Sequence, residues 1–478
     1  PCGGGDSEGE PCGASSRRPY TAPVSRLPQD TRRPRERALL CGLLAPDQVE
    51  EAEGPLSEAA GLVRAAGSDV IGEPIVQRKT LIDPATLLGR GKVAEIRQEV
   101  ERWRPDLVVV DNDLSPAQVR NLEKAWGVRV VDRSELIMDI FARRAQTRQA
   151  RLQVELAQSE YLMPRLRRMW THLERLEGAI GTRGPGETQL ETDRRLIKNR
   201  IAELRRELRE IEAQRSRQVK TRTEEFTVGL VGYTNAGKST LLNRLTGSHE
   251  LAADMLFATL DTRTRRWLLK DGRRVLLSDT VGFLQRLPHH LVASFQATLD
   301  EALSVDLLLH IVDASHPDAL VHLSVVDKVL AEHSGTGRAE VLVLNKVDRM
   351  AEGSPLTQYV VSSERDVVWV SAHTGRGLDE LDAIVARHLD RRCVTVRLVV
   401  PFTAGASLAG LKRAGVLLSE RHDAELGSIL ELRIPDRELG NLLRKADPGL
   451  TCEVLEPAQE PYQPSDPLED RWLARGRH

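Results

Sequence analysis

The alternation of apolar and polar residues divides the chain into segments. Residues 1–37 are rich in Gly, Pro, Ser and Arg and show almost no apolar periodicity, which predicts a disordered tail. From Ala38 onwards, apolar runs alternate with helical patterns, which predicts a small parallel α/β domain over residues 38–133. Its predicted strands are Ala38 to Leu44, Leu107 to Asp111 and Val128 to Asp132. Its predicted helices are Leu56 to Ala66, Lys92 to Trp103 and Ser115 to Trp126, and residues Asp69 to Arg78 are predicted to be extended.

Residues 134–222 lack a strand pattern and contain two helical stretches. Apolar residues of the second stretch follow the 4, 3, 4, 3 spacing of a coiled-coil seam: Ile197, Ile201, Leu204, Leu208 and Ile211. The first has that spacing at Leu152, Leu156, Ser159, Met163, Leu166, Trp170 and Leu173, with a polar Ser159 and a Pro164 that should kink the helix. We predict an antiparallel hairpin of helices with ~25 to 30 residues each, extending roughly 40 Å.

The two helical stretches flank a Gly-rich interruption, residues 181–189 (GTRGPGETQ). Three glycines and a proline disfavour a helix, so the interruption is predicted to be the loop at the hairpin tip.

Alternating strands and helices return in residues 223–392, which predicts a second α/β domain. Residues 393–457 then follow the order strand, helix, strand, strand, helix, strand of a small ferredoxin-like α+β domain. Residues 458–478 are Pro-rich and acidic, and are expected to form a flexible tail. The fold class predicted is therefore α/β multidomain.

Length and composition agree with several globular domains. The 478 residues suggest about three domains at ~150 residues each, and 40% hydrophobic with 29% charged residues excludes a collagen-like or wholly disordered chain. No apolar run reaches the ~18 to 20 residues needed to cross a bilayer, so no membrane span is expected. The five cysteines form no CxxC pair, which argues against a zinc site or disulfide framework and favours a reducing cytoplasm.

Charge is distributed unevenly. The net charge is −2, yet residues 143–222 hold 20 basic and 11 acidic residues. A basic segment in a mildly acidic protein indicates a polyanion partner, with nucleic acid first among the candidates. A solvated charged helix surface is the alternative.

A phosphate-binding loop follows the apolar strand Phe226 to Val231. The motif GxxxxGK[ST] is formed by Gly232, Tyr233, Thr234, Asn235, Ala236, Gly237, Lys238 and Ser239, and Thr240 continues into a helical pattern. Backbone N–H groups of such a loop bind phosphates, Lys238 reaches the β and γ phosphates, and Ser239 holds Mg²⁺. A chance Gly-rich turn is the alternative, and the strand–loop–helix context argues against it.

Three further segments follow in the order that nucleotide chemistry requires. Asp279 ends an apolar strand and can organise Mg²⁺ through water, while the amide of Gly282 can face the γ-phosphate. Asp348, in the segment Asn345-Lys346-Val347-Asp348, can accept from both N1–H and the 2-amino group of guanine, which selects GTP over ATP. Ser371 and Ala372 begin a turn whose backbone N–H can meet guanine O6.

A threonine between the phosphate-binding helix and Asp279 should supply a second hydroxyl to Mg²⁺ and sense the γ-phosphate. We assign this role to Thr259, with Thr262 and Thr264 as alternatives. The predicted metal ligands are thus Ser239 and Thr259.

Phe283 stands where many GTPases place a Gln that orients the attacking water. An apolar ring cannot position water. Either hydrolysis needs a group supplied by a partner or an ion, or the protein binds GTP without turning it over. The amide oxygen of Asn235 could help coordinate a K⁺ ion that bridges the phosphates; a loop residue making only backbone hydrogen bonds is the alternative.

The residues resemble the HflX family of ribosome-splitting GTPases. The resemblance spans roughly Leu39 to Pro457 and includes LGRGKVAEI (88–96), QVELAQ (153–158), GTRGPGETQLE (181–191), DTVGF (279–283) and LPHHLV (287–292). One departure is Asp261-Thr262, where the family usually has Asp-Pro.

The resemblance implies a GTP-dependent factor that binds the large ribosomal subunit and its rRNA and separates 70S ribosomes, often under stress, with the hairpin tip near the peptidyl transferase centre. We expect the protein to be cytoplasmic and a monomer. The resemblance also implies that ribosomes stimulate hydrolysis to GDP, for which Lys238, Thr259 and Gly282 form the catalytic set. At the hairpin tip, Arg183, Gly184 and Gly186 become candidates for RNA contact, with a plain helix–helix connector as the alternative.

Two other functions share these sequence features. A ribosome assembly GTPase acting on the immature large subunit would carry the same motifs. An RNA-remodelling ATPase in the N-terminal domain would need a second phosphate-binding loop, and Leu88-Gly-Arg-Gly-Lys-Val is too short to be one. We interpret that segment as a turn that enters a helix.

Overall fold

A computed structural model describes residues 35–45, 54–79, 82–169, 185–222, 225–248, 257, 263–280, 282–286, 291, 303, 305–333, 339–350, 356–361, 365–402, 404, 408, 410–412, 415–436, 439, 440, 443 and 450–459. The predicted tails lie outside the described residues except for 35–37 and 458–459. Among the described helices, none is long and apolar enough to cross a membrane.

The N-terminal part contains a parallel sheet with the strand order β2-β1-β4-β5, in which β3 also pairs with β1. Its strands are β1 (Arg37–Leu44), β2 (Asp69–Val70), β3 (Ile75–Arg78), β4 (Leu107–Val110) and β5 (Arg129–Asp132). Its helices are α1 (Ser57–Ala65), α2 (Arg90–Trp103), α3 (Pro116–Trp126) and α4 (Arg133–Arg144). Ser115 and Gln118 form a reciprocal capping box before α3, with Pro116 at the first turn.

Two long helices, α5 (Arg148–Met169) and α6 (Pro185–Arg222), form the predicted hairpin. Arg148 pairs with Glu207 at 2.8 Å and Arg200 pairs with Glu155 at 2.7 Å, so the helices run antiparallel. The predicted seam is buried between them; its members are Leu152, Leu156, Ile201, Leu204 and Leu208, with Met163, Ile197 and Ile211 at its edge. Trp170 and Leu173 lie outside the described residues.

The prediction for the tip is wrong for residues 185–189, because α6 already begins at Pro185 and includes Gly186. Proline lacks only an N–H that the first helical turn leaves unbonded anyway, so Pro185 starts a helix instead of preventing one. Arg183 and Gly184 lie outside the described residues. The first helix runs through Pro164 without a break.

The central part contains a six-stranded sheet with the order β11-β10-β9-β6-β8-β7, parallel except for β7. Its strands are β6 (Phe226–Gly232), β7 (Arg263–Leu268), β8 (Arg274–Asp279), β9 (Leu307–Asp313), β10 (Ala339–Asn345) and β11 (Asp366–Trp369). Its helices are α7 (Lys238–Thr246), α8 (Ala319–His333), α9 (Leu356–Val361) and α10 (Leu378–Asp390). The parallel strands all end at one edge of the sheet, where their loops form a site.

The C-terminal part is an antiparallel sheet of β12 (Cys393–Val400), β13 (Val416–Asp423), β14 (Gly427–Pro435) and β15 (Thr451–Glu456). The strand order β13-β14-β12-β15 is that of a split βαβ arrangement. The two α/β parts, the helical hairpin and this small sheet confirm the predicted multidomain α/β class.

Candidate nucleotide-binding site

The loop between β6 and α7 has a backbone that only glycine allows at two positions. A Cβ on Gly232 would lie 2.2 Å from the carbonyl oxygen of Ile311, and a Cβ on Gly237 would lie 2.3 Å from Nδ2 of Asn345. Gly237 also has φ +91°, in the left-handed region. The loop is therefore packed closely against β9 and the end of β10, with its backbone turned around the start of α7.

Lys238 is buried at the centre of this loop. Its Nζ donates to the carbonyl oxygens of Gly232 and Tyr233 at 3.1 and 2.8 Å. Burial lowers the pKa of Lys238 to about 8, and the nearby Asp279 opposes that shift. A bound phosphate would favour the charged ammonium, so the loop is suited to an anion.

Ser239 and Asp279 face each other across the edge of the sheet. Ser239 Oγ donates to Asp279 Oδ2 at 2.6 Å, and Asp279 is buried at the end of β8. A hydroxyl and a carboxylate are hard oxygen ligands of the kind that Mg²⁺ prefers. The residues present therefore fit the magnesium ion that P-loop GTPases generally use.

The remaining loop residues differ in exposure. Asn235 is exposed with φ +62°, and Thr240 is partly buried in α7. Ala236 is buried. Tyr233 is buried too, and its phenol donates to Glu58 of α1 and accepts from the Gln285 N–H.

Asn345 joins the phosphate-binding loop to the turn after β11. Its Nδ2 donates to the Ala236 carbonyl at 2.9 Å, and its Oδ1 accepts from the Ala372 N–H at 3.0 Å. The Ala372 amide, predicted to meet guanine O6, is thus bonded to Asn345 in this structure. The contact explains why an amide side chain, which both donates and accepts, is needed at this position.

Asp348 is held as a hydrogen-bond acceptor by its surroundings. The hydroxyl of Ser371 donates to its carboxylate, and this bond lowers the pKa of Asp348. An ionised carboxylate at a fixed position is the chemistry required for the two N–H donors of guanine.

Sequence reasoning missed Asp313. It ends β9 and accepts from Lys346 Nζ at 2.7 Å, which orients the lysine beside the phosphate-binding loop. Its position was the available signal, because Asp313 follows an apolar strand whose end lies at the same sheet edge as Asp279 and Asn345.

A buried ion-pair network, also missed, connects the N-terminal sheet to this site. Arg133 pairs with both Asp111 and Glu58, and Asp111 also pairs with Arg286. Glu58 in turn accepts from the phenol of Tyr233 in the phosphate-binding loop. These contacts fix the loop and the segment after Gly282 against the N-terminal sheet.

Residues 282–286 follow Asp279 closely. A Cβ on Gly282 would lie 3.0 Å from Nζ of Lys238, so the predicted γ-phosphate residue does lie beside the lysine. Phe283 is buried in the hydrophobic core, with its ring 4% exposed. Thr259, predicted as a metal ligand and catalytic residue, lies outside the described residues, and so does the alternative Thr262. The other alternative, Thr264, lies in β7, and its hydroxyl is 3.0 Å from that of Ser278.

A second cluster of His310, Asp327 and Glu340 has ligand atoms close enough for a metal. Arg365 already occupies it, with Nη1 2.9 Å from an oxygen of each carboxylate. Burial alone would lower the pKa of His310, but the two acidic partners raise it. The cluster is therefore an ion-pair network, and the Ser239–Asp279 pair is the better magnesium candidate.

Three family models match successive parts of the chain. They are described as GTP-binding GTPase N-terminal over residues 53–142, GTP-binding GTPase Middle Region over 144–222, and 50S ribosome-binding GTPase over 227–346. The GTPase HflX of Caldanaerobacter subterraneus subsp. tengcongensis is 42% identical over 83% of this chain and 90% of that protein. The chain belongs to the HflX family of GTPases.

Another HflX relative, from Escherichia coli, is 42% identical over 80% of this chain and 89% of its own length. Among solved structures, a GTP-binding protein of Sulfolobus solfataricus in complex with GDP matches 74% of this chain and 98% of its own, with 22% identity and a TM-score of 0.40. Membership of the HflX family makes this chain a GTPase, which binds guanine nucleotide and hydrolyses GTP.

Proposed function

We propose that this HflX-family GTPase binds the large ribosomal subunit in the cytoplasm, as a monomer, and separates 70S ribosomes into subunits. The observation that carries the proposal is the match of residues 227–346 to a family model described as a 50S ribosome-binding GTPase. The hairpin supplies a second argument, because a basic pair of long helices is suited to ribosomal RNA.

The hairpin has the length and charge for contact deep in a large partner. With 38 residues, α6 extends ~57 Å at 1.5 Å per residue. The basic excess of residues 143–222 favours phosphate contacts. We assign the RNA contact to Arg183, Gly184 and Gly186, the last of which lies in the first turn of α6. The remaining hairpin charges would then steer and orient the protein.

Co-sedimentation with ribosomal subunits tests this proposal. We expect the GTP-analogue form to pellet with mature 50S subunits and the GDP form to bind them more weakly. Binding should weaken steeply between ~50 and ~200 mM salt, because phosphate contacts release counterions. Binding to immature large subunits alone would favour an assembly GTPase and contradict the proposal.

For the ions, we propose that Ser239 and Thr259 bind Mg²⁺, with Asp279 acting through water. Asn235, exposed in the loop, would help to hold a K⁺ ion beside the phosphates. In that case hydrolysis is faster in KCl than in NaCl at matched ionic strength, and equal rates would leave Asn235 without this role.

Base selection by Asp348 can be tested by substitution. Asp348→Asn exchanges a carboxylate that accepts two hydrogen bonds for an amide that also donates. A charge-assisted hydrogen bond contributes ~1.5–3 kcal/mol, so we expect GTP affinity to fall about 10- to 100-fold. Xanthosine triphosphate, whose base presents an acceptor there, should bind better than GTP. Fluorescent-nucleotide titration measures both, and unchanged GTP affinity would refute the assignment.

A further inference from the structure

Thr234, the third residue of the phosphate-binding loop, carries a buried hydroxyl that has no hydrogen-bond partner among the described residues. The residue is only 7% exposed, so water cannot freely replace the missing partner. Thr280, a neighbouring buried threonine, donates to the Leu230 carbonyl at 2.7 Å, which shows that this region can satisfy a hydroxyl. In folded proteins a buried polar group without a partner is rare, and its explanations are strain, a bound water or ion, or a catalytic role.

The side chain of Thr234 lies beside the residues predicted to meet the γ-phosphate. A Cβ on Gly282 would lie 2.9 Å from Cα of Thr234, 3.0 Å from its methyl Cγ2 and 3.0 Å from Nζ of Lys238. The methyl group is the part of the side chain that faces Gly282, and the buried hydroxyl is carried on the same Cβ. Thr234 N–H also donates to the Phe283 carbonyl at 2.8 Å, which fixes the loop against the segment that follows Gly282.

The position that usually orients the attacking water cannot do so here. The ring of Phe283 is buried in the core that also contains Tyr233, and a phenyl ring forms no strong hydrogen bond with water. Lys238 directs its ammonium to the carbonyls of Gly232 and Tyr233. Thr234, which lies beside Gly282 and bonds to the Phe283 carbonyl, carries a hydroxyl that is able both to accept and to donate.

We propose that the Thr234 hydroxyl is a catalytic group of the GTPase, which accepts a hydrogen bond from the attacking water and donates one to an oxygen of the γ-phosphate. The water oxygen forms the new bond to the γ-phosphorus while the bond to the bridging oxygen breaks and its electron pair leaves with GDP. The proton released by the water passes to the phosphate, and Thr234 keeps its own proton. This step concerns GTP hydrolysis by the protein alone and does not depend on the ribosome proposal.

Single-turnover hydrolysis by the full chain, without ribosomes, tests the role. Thr234→Val retains the branched shape without the hydroxyl, and Thr234→Ser retains the hydroxyl without the methyl. We expect the valine variant to lose about 10²-fold in hydrolysis rate, the cost of removing one such electrostatic contact, while serine restores most of it. The affinity for GDP, which lacks the γ-phosphate, should remain unchanged in both variants. The valine variant should bind a non-hydrolysable GTP analogue more weakly than the serine variant, because it loses the hydrogen bond to the γ-phosphate.

Thr246→Val is the matched control, since Thr246 lies at the end of α7 and its hydroxyl bonds to the Leu242 carbonyl at 2.7 Å. It should hydrolyse GTP at the parental rate. A valine variant with the parental rate overturns the proposal, and so does a serine variant as slow as the valine one, because then packing of the methyl group matters. If the thermal transition shows that Thr234→Val does not fold, the hydrolysis rate of Thr234→Ala is compared with that of Thr234→Ser instead.

Discussion

Replacing residues 183–187 by a Gly-Ser linker of equal length is expected to abolish 70S splitting while GTP affinity and thermal stability stay close to the parent. The tip is separated from the phosphate-binding loop by helices of 22 and 38 residues, so its loss should not disturb nucleotide binding. A factor that acts on RNA through the tip loses its point of contact. Light scattering of 70S ribosomes with GTP measures the splitting rate.

A single substitution, Arg183→Gln, is the matched comparison for that linker. It removes the charge and leaves the glycines, so we expect a partial loss if the guanidinium binds an rRNA phosphate. If the linker variant splits ribosomes at the parental rate, the tip is only a connector. The basic faces of the two hairpin helices would then be the next candidates.

Arg133→Met should strongly destabilise the protein. Arg133 and Asp111 are each 2% exposed, and Glu58 is 14% exposed. Removing the guanidinium takes away the cation that Asp111 and Glu58 share, and among the described residues Asp111 then keeps only its pair with Arg286. Removing one partner of a buried ion pair lowers the free energy of unfolding by ~3–5 kcal/mol. Urea unfolding measured by circular dichroism should show the loss as an earlier transition.

Arg129→Met is a suitable control for the Arg133 variant. Arg129 pairs with Glu135 at 2.9 Å, but its side chain is 59% exposed, and surface pairs contribute only ~0–1 kcal/mol. The two variants therefore differ in burial and not in the type of side chain removed. Equal shifts in the urea transition would mean that the buried network contributes little to stability.

The strand–loop–helix arrangement around Lys238 was predictable from the sequence because its elements are local. The strand before Gly232, the loop and the helix from Lys238 follow one another directly, and their order alone specifies a phosphate-binding loop. Asp279 and Asn345 are each the last residue of a strand, so the topology brings them to the same edge. The hairpin seam was predictable for the same reason, since a heptad repeat is a pattern within one helix.

The ion-pair network was not predictable, because its partners are far apart in sequence. Asp111 and Arg286 are 175 residues apart, and so are Glu58 and Tyr233. No local periodicity specifies such pairs, which arise only when the two sheets pack together.

The start of α6 was missed for a different reason: Gly and Pro lower helix propensity in a helix interior, whereas a proline in the first turn is tolerated.

We propose above that the GTP-bound form of this chain separates ribosomes. The most direct test of this proposal is a sucrose gradient of purified 70S ribosomes incubated with the full chain and GTP, a non-hydrolysable GTP analogue or GDP. We expect GTP and its analogue to convert the 70S peak into 50S and 30S peaks, with the protein on the 50S fraction, and GDP to leave the 70S peak unchanged. A 70S peak that is unchanged in all three nucleotides, at protein concentrations that saturate 50S binding, would contradict the proposal.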